Sequence, residues 1–373
     1  MSSRREDPLR TSGAAVTQEK KAGFLAIELD DAGWDGGRFG TLAEAVLAAE
    51  SAGFHVATFK DAPAPGRVNA LQRAAYAGPI TRTLALVPEV DTVYTEPFHV
   101  STQLASLDYV SGGRAGWIAT AAESPEAAAA VGRSSVSGDA LAQEAAASIE
   151  VSRRLWDSWE DDAVIRDVAT GRYIDVDKLH YADFETPADF AGTPYSVKGP
   201  SIIPRPLQGQ LPVLAGASLV GEGHIPVEAV DAVLVTAPTP ELLLDEARDV
   251  RARLGASVAL VAELDVVLDA RGEEAASRAA SLKDAGRARF VGSAAELTGL
   301  LDLLLQEVDG VRLHPGDLAL ELDELSRLVL PELRRRGSLR APLQDSTLRE
   351  LLGLERAENR YSTSAPAGTA AAK

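Results

Sequence analysis

The sequence contains no cysteine among its 373 residues. This absence excludes disulfides, thiolate catalysis and cysteine-ligated metal. Histidine is also scarce, and none of the five histidines is spaced as a metal-binding pair on one helix, so we expect no metal site. Glycine-rich dinucleotide and Walker motifs are missing as well, which argues against a Rossmann or P-loop nucleotide site.

Positive charge and long apolar runs are the next shortages. The formal net charge is −18. A chain this acidic repels phosphate backbones and anionic membranes, so we expect neither a nucleic-acid nor a membrane partner. The longest apolar run, near residues 256–262, is too short to span a bilayer. The amino-terminal MSSRREDPLR has no apolar stretch after its basic residues, so we expect no secretory signal and a cytoplasmic protein.

Polar, non-periodic sequence lies at both ends of the chain. Residues 1–20 and 362–373 are predicted to be disordered tails. The hydrophobic fraction of 46% and the charged fraction of 25% are ordinary for a globular protein. We therefore expect one domain over residues 21–361, which is long enough for an α/β barrel.

Short apolar runs alternate with helical patterns through this domain. Eight runs read as buried strands, at residues 23–29, 54–60, 83–90, 114–120, 211–216, 230–236, 257–264 and 308–313. Eight is the number of strands whose closed barrel is filled by side chains. The prediction is a (β/α)8 TIM barrel.

Helix starts are marked by capping residues. Thr41 and Ser293 are each followed three residues later by glutamate, which predicts two capping boxes. Ser124 and Thr239 each precede a proline, which predicts an N-cap followed by proline at the first helical position.

One stretch, residues 159–212, interrupts the alternation between the fourth and fifth strands. It is rich in Asp, Gly, Pro and Tyr. Insertions at the carboxyl ends of barrel strands often cover the active site, so we expect a roof over the mouth. The alternative is a surface excursion with no role in catalysis.

Four stretches carry a family resemblance, in the same order as in that family. They are residues 94–117 (containing ASLDYVSGGRAGW), 167–180 with 195–218 following (containing LPVLAGAS), 313–330 and 329–361 (containing PELRRRG). They resemble the luciferase-like flavin-dependent monooxygenases, in the branch that acts on nitrilotriacetate, EDTA, pristinamycin precursors and dibenzothiophene sulfone. The resemblance implies a bacterial-luciferase-like barrel and an enzyme that oxidises a small organic substrate with O2.

The same resemblance implies a cofactor and partners. The cofactor would be reduced FMN (FMNH2), delivered by a separate NAD(P)H:flavin reductase, and the chain would form a homodimer. The flavin carries out the oxygen chemistry, so the protein needs to bind, orient and exclude water. No catalytic residue is identified. His99 and His224 lie near the expected mouth, where each could act as an acid or base or have only a structural role.

The turn after the fifth strand is the candidate phosphate site. In the family the matching segment holds the flavin phosphate; here it contains Gly216, Ala217, Ser218 and Gly221. Small residues let backbone N–H groups approach an anion, and a helix that begins there would add its dipole. The alternative is an ordinary strand-to-helix turn.

Three further residues match the family positions around the flavin ring or end a strand at the expected mouth. Asp61 and Thr92 match family residues near the ring, after the second and third strands, and Thr120 ends the fourth strand. On the barrel model they point into the mouth, although each could instead cap a strand end.

Several positions depart from the family pattern. Ile118 stands where the family has an asparagine that bonds the flavin, and Arg133 is the one possible phosphate partner left in a rewritten loop. These departures leave two alternatives open. The chain could be a divergent paralogue with weak or no flavin binding that acts as a partner protein, or an oxidoreductase that uses deazaflavin F420.

Overall fold

The structure is a computed structural model that describes residues 22–30, 39–61, 68–221 and 224–362. The tails predicted at 1–20 and 362–373 lie outside these ranges, apart from Ser362. Within the described ranges, no helix is long and apolar enough to cross a membrane.

Thirteen strands are described, and eight of them close a parallel barrel. The strands are β1 Phe24–Glu28, β2 Val56–Phe59, β3 Ala85–Asp91, β4 Trp117–Thr120, β5 Val164–Asp167, β6 Arg172–Ile174, β7 Phe184–Glu185, β8 Ser196–Val197, β9 Val213–Gly216, β10 Ala232–Val235, β11 Ala259–Leu268, β12 Arg289–Gly292 and β13 Gly310–Pro315. The barrel order is β1-β2-β3-β4-β9-β10-β11-β13, and β13 pairs with β1 to complete the ring. These are the eight predicted strands, so the (β/α)8 prediction is confirmed. Strand β12 was not predicted; it pairs in parallel with the carboxyl-terminal half of β11.

Helices follow most of the barrel strands. They are α1 Phe39–Ala52, α2 Ala70–Ala77, α3 Pro97–Ser111, α4 Pro125–Ala130, α5 Asp139–Asp157, α6 Pro240–Leu254, α7 Ala275–Ala279, α8 Ala294–Glu307, α9 Leu318–Glu324, α10 Leu330–Arg335 and α11 Leu348–Leu351. The capping box at Ser293 and the caps at Ser124 and Thr239 are confirmed. The box predicted at Thr41 is wrong, because α1 already begins at Phe39 and Thr41 lies inside the helix.

Two separate apolar layers hold the barrel together. A large core fills the space between the strands and the helices. A smaller inner core fills the lower half of the barrel. It consists of Phe24, Ala26, Val56, Ala85, Val87, Ile118, Leu214, Ala232, Leu234, Ala259, Val261, Leu348 and Leu352. The last two come from α11 and the residue after it, so the carboxyl-terminal segment plugs the amino-terminal end of the barrel.

The ASLDYVSGGRAGW motif builds this closed end. The carboxylate of Asp108 accepts the amide of Gln208 (Nε2 to Oδ1, 2.6 Å), and Arg114 donates to four backbone carbonyl groups, including those of Gly78 and Thr81. An added Cβ at Gly116 would overlap Leu348 Cδ2. The motif is therefore explained by barrel closure, which agrees with its role as a fold marker.

The predicted roof over the mouth is wrong for most of residues 159–212. The segment follows α5, and a crossover helix returns the chain to the amino-terminal ends of the strands. Arg205 there binds Asp157 at the end of α5 and the carbonyl of Ala357 (both 2.9 Å). The loop of the short hairpin β7–β8 lies against the amino-terminal part of α5, where the amide of Ala191 donates to Gln143 Oε1 (2.8 Å).

Candidate active site at the barrel mouth

The carboxyl ends of the strands form an open mouth with an arc of polar residues along β2, β3, β4 and β9. Asp91 on β3 pairs in register with Thr120 on β4. Thr120 and Gly216 each follow the Ala119–Ala215 register pair, so they lie at the same level of the rim. The structure thus brings Thr120 and Gly216 together, and Asp61 lies close enough to Asp91 to act on its charge.

Asp91 is an acidic group of the rim that the sequence reasoning missed. Burial and the nearby charge of Asp61 raise its pKa, although the backbone amides of Tyr94 and Val93 (the latter 3.1 Å from Oδ2) favour its ionised form. One side of the mouth therefore carries two carboxyl groups, and the charge of Asp61 disfavours ionisation of Asp91.

Thr92 behaves as a strand-end residue. Its side chain is buried, and its hydroxyl donates to the carbonyl of Thr120 (2.9 Å). This bond connects the end of β3 to the end of β4. Thr92 thus has the position expected of a residue that caps a strand end.

Open space lies above Gly216. A Cβ added there would meet one atom within 4 Å, Ser218 Oγ at 3.8 Å. The partner of Gly216 on β10, Leu234, belongs to the inner core, so this position faces the barrel interior. Gly216 therefore leaves room at this point of the mouth that a larger side chain would fill.

The segment after Gly216 differs from the prediction. A 3-10 turn covers Ala217–Leu219, and the described residues between this turn and β10 form no α-helix. The predicted helix is wrong, so a helix dipole is not available at this turn. Instead, a groove of about 790 Å³ opens beside Ser218 and Gly221, with His224 and Arg253 in its lining.

This groove fits an anion. Ser218 is exposed, Gly221 has a φ of 141° and open space where a Cβ would project, and the Arg253 Nη2 lies 3.4 Å from the carbonyl oxygen of Ala217. A hydroxyl, accessible backbone and a guanidinium are groups that hold phosphate. Glu228 also lines the groove and opposes an anion.

A buried charged network, centred on Arg312, forms the floor of the mouth. Arg312 donates to Glu89 (2.6 Å), to Glu263 and Thr58 (both 2.9 Å), and to Glu28. The Arg312 side chain is 3% exposed. Three carboxyl groups therefore share one guanidinium inside the barrel.

The environment shifts the pKa values of the three carboxyl groups in different directions. Burial opposes ionisation of Glu28, but the charges of Arg312 and His314, together with hydrogen bonds from Arg312 and Thr58, lower its pKa. Burial also opposes ionisation of Glu263, yet the hydrogen bond from His314 and the charge of Arg312 hold its pKa to about 2. For Glu89, burial and the charges of the other two glutamates outweigh the effect of Arg312, so the pKa of Glu89 is raised.

The network was missed because its members lie on different strands that are far apart in the sequence. A signal was present in the alternation: in GVRLHP, Arg312 and His314 are two residues apart, as are Glu263 and Asp265 in β11. Charged residues on the same face of strands that are buried on both faces predict a polar barrel interior.

Three other residues considered from the sequence have defined positions. Ile118 is buried in the inner core and contributes no polar group. Arg133 is bound by Glu144 (2.5 Å) and by the carbonyl of Val93. His99 projects into solvent beside Glu96 at the start of α3.

No metal centre occurs in the described part of the chain. No group of three or more His, Asp or Glu side chains there is arranged to hold an ion. The site is thus a set of polar and charged groups around and beneath an open mouth, in an α/β barrel whose opposite end is closed.

Comparison with known proteins assigns the family. The family model for luciferase-like monooxygenases matches residues 21–311. The chain therefore belongs to the luciferase-like monooxygenase family, a family of oxidoreductase enzymes, and the resemblance drawn from its motifs is confirmed.

Two relatives of known activity are similar over parts of the chain. N-acetyl-S-(2-succino)cysteine monooxygenase of Bacillus subtilis (strain 168) is 36% identical over 159 residues, which are 42% of this chain and 34% of that protein. Dibenzothiophene-sulfone monooxygenase of Rhodococcus erythropolis is 31% identical over 180 residues, which are 48% of this chain and 38% of that protein. The matched part of the chain thus spans little more than a third of the length of either relative.

Solved structures share the fold. Riboflavin lyase RcaE, solved with modified FMN and riboflavin, has a TM-score of 0.75 at 21% identity, with 90% of this chain and 97% of that chain covered. Similarity at this level of identity shows that the barrel fold is shared. The chemistry has to be argued from the residues of the site.

Proposed function

We propose that the protein is a reduced-FMN-dependent monooxygenase that oxidises a small organic substrate with O2. Family membership supports this reaction class. The observation that carries the proposal is the open space above Gly216, beside a groove that offers phosphate-binding groups. The flavin, when bound, supplies the activation of O2.

The chain's own residues would bind and orient the flavin. The ring would lie against Gly216, within reach of Thr120 and Asp61 on the rim. Ser218, Ala217, Gly221 and Arg253 would hold the phosphate, with the Arg253 guanidinium in place of the missing helix dipole. The floor beneath is closed by the charged network and the inner core, which keeps water from entering below.

Two partners complete this proposal. A separate NAD(P)H:flavin reductase would supply reduced FMN, as the family resemblance implies. We also propose a homodimer. Sedimentation equilibrium should give a mass of two chains, and a monomer at all concentrations would contradict that part.

A second candidate function is a partner protein that binds flavin weakly or not at all. Specific observations favour it: Ile118 offers no amide, Arg133 is bound by Glu144, and the described residues between Gly216 and β10 form no α-helix. Losing one polar contact costs about 1–3 kcal/mol, so several losses weaken binding by orders of magnitude.

An anaerobic titration separates the candidates. Oxidised FMN, reduced FMN and F420 are titrated into the wild-type protein and into a Gly216→Phe variant that fills the mouth. The proposal predicts reduced-FMN binding at micromolar concentration by wild type, lost in the variant at an unchanged Tm. No binding of either FMN form supports the partner protein, and tight F420 binding alone supports the deazaflavin enzyme.

A further inference from the structure

The floor of the mouth carries an excess of negative charge. Glu28, Glu89 and Glu263 are all in contact with one guanidinium, that of Arg312. Full ionisation would leave two uncompensated negative charges in a buried cluster. Buried charges of one sign cannot all stay ionised without a large free-energy cost, so one carboxyl group tends to take up a proton.

The contacts single out Glu89 as that group. Glu28 also accepts the hydroxyl of Thr58 (3.0 Å) and the amide of Lys60 (3.1 Å), and Glu263 accepts His314 (3.2 Å). Among the described residues, Glu89 accepts a hydrogen bond from a single donor, Arg312. Hydrogen bonds to the ionised form favour it, and Glu89 has the fewest.

The surroundings of Glu89 agree with this assignment. Across the sheet its register partner on β4 is the apolar Ile118. On β2, Phe59 pairs with Pro88, so the next residue, the exposed Lys60, lies at the level of Glu89. The charged groups that face it are Glu28 from β1, Glu263 from β11 and Arg312 from β13. His314 from β13, whose pKa is lowered by burial and by Arg312, contacts Glu263, and Asp91 lies two residues along β3. The Glu89 side chain is 15% exposed, against 2% for Glu28, so it can exchange protons with the mouth.

We propose that Glu89 is the proton-binding residue of the mouth and is neutral whenever an anionic ring is bound there. This rests on the proposed function, because the reduced flavin ring is anionic near neutral pH and the oxidised ring is not. The step is a protonation: the Glu89 carboxylate takes one proton from solvent and becomes a carboxylic acid, and no electron moves. The acid can then donate a hydrogen bond towards the bound anion.

Calorimetry measures the proton directly. Reduced FMN and oxidised FMN are titrated anaerobically in phosphate and in Tris buffer, whose ionisation heats differ. Wild type should take up more protons with reduced than with oxidised FMN, and its Kd for reduced FMN should rise by up to about tenfold per pH unit above the Glu89 pKa. Glu89→Gln should bind reduced FMN with a flatter pH profile and without that extra uptake.

The matched control is Glu144→Gln. Burial also raises the pKa of Glu144, but this residue is bound to Arg133 outside the floor. Extra proton uptake should persist in this variant. Uptake that persists in Glu89→Gln, or that disappears in Glu144→Gln instead, would overturn the proposal.

A second measurement needs no flavin. Carboxyl carbon NMR of the ligand-free protein, assigned by the signal missing in Glu89→Gln, should show Glu89 titrating above its ordinary value of 4.5. Titration at or below 4.5 would overturn the proposal even if flavin binds. Failure of both FMN forms to bind would instead count against the proposed function, with the NMR titration still deciding whether Glu89 holds a proton.

Discussion

Ile118 and Glu89 are register partners on the inner wall of the barrel, one on β4 and one on β3. The pair marks the boundary between the two halves of the interior. Ile118 belongs to the apolar plug that extends to α11, and Glu89 belongs to the charged floor of the mouth. A single polar substitution at this boundary should therefore change ligand binding.

Ile118→Asn restores the amide that the family resemblance places here. We expect the Kd for FMN to fall about tenfold, since one recovered hydrogen bond is worth about 1.4 kcal/mol. Stability should fall by about 1–3 kcal/mol, because a buried apolar side chain is replaced by a polar one. Fluorescence titration and urea unfolding measure both. The control Ile118→Val should cost about 1 kcal/mol and leave the Kd unchanged; equal affinities for the two variants would refute this expectation.

Glu263 should make stability depend on pH. Its folded pKa of about 2 is below the ordinary 4.5. A lowered carboxyl pKa stabilises the fold above about pH 4.5, and that contribution is lost as the pH falls towards 2. The shift corresponds to roughly 3 kcal/mol. Glu263→Gln should therefore destabilise the protein at pH 7 and much less at pH 3, as measured by urea unfolding.

Glu332 provides the exposed counterpart. Hydrogen bonds from Arg335 and Arg336 hold its pKa to about 2 as well, but at the surface. Solvent screens such pairs, so Glu332→Gln should leave the unfolding free energy unchanged within error at either pH. If the two variants lost equal stability, burial would not be the cause of the Glu263 effect.

Gly116 and Gly299 should respond in opposite directions to the same added methyl group. At Gly116 the Cβ would overlap Leu348 and lie 3.3 Å from Val87 Cγ2, so Gly116→Ala should cost about 1–3 kcal/mol. Gly299 lies inside α8 with open space around it, so Gly299→Ala should stabilise by about 0.5–1 kcal/mol. Thermal unfolding of both variants measures the difference, and shifts of the same sign would argue against the packing of α11 on the barrel.

Leu348 tests the same plug from the other side. It is 2% exposed in the inner core, so Leu348→Ala should lose about 2–5 kcal/mol. Leu343, at 67% exposed in the same carboxyl-terminal segment, should tolerate alanine within about 0.5 kcal/mol. Similar losses at the two positions, measured by urea unfolding, would mean that α11 does not close the barrel.

The eight barrel strands were predictable from sequence because each is a short run buried on both faces. The position of residues 159–212 was not, because spacing alone did not show that α5 carries the chain to the opposite end of the barrel first. The described residues between Gly216 and β10 form no α-helix, and Gly223 and Pro226 in the sequence had indicated an irregular segment there. The charged floor could not be assembled, because Glu28 and Arg312 are 284 positions apart and meet only when β1 pairs with β13.

The most direct test is a crystal structure of the protein soaked anaerobically with reduced FMN. The account predicts the ring against Gly216 in the mouth, with its phosphate within hydrogen-bond distance of the Ser218 hydroxyl and the Gly221 amide. A mouth without flavin at saturating concentration, or a phosphate bound away from this groove, would contradict it.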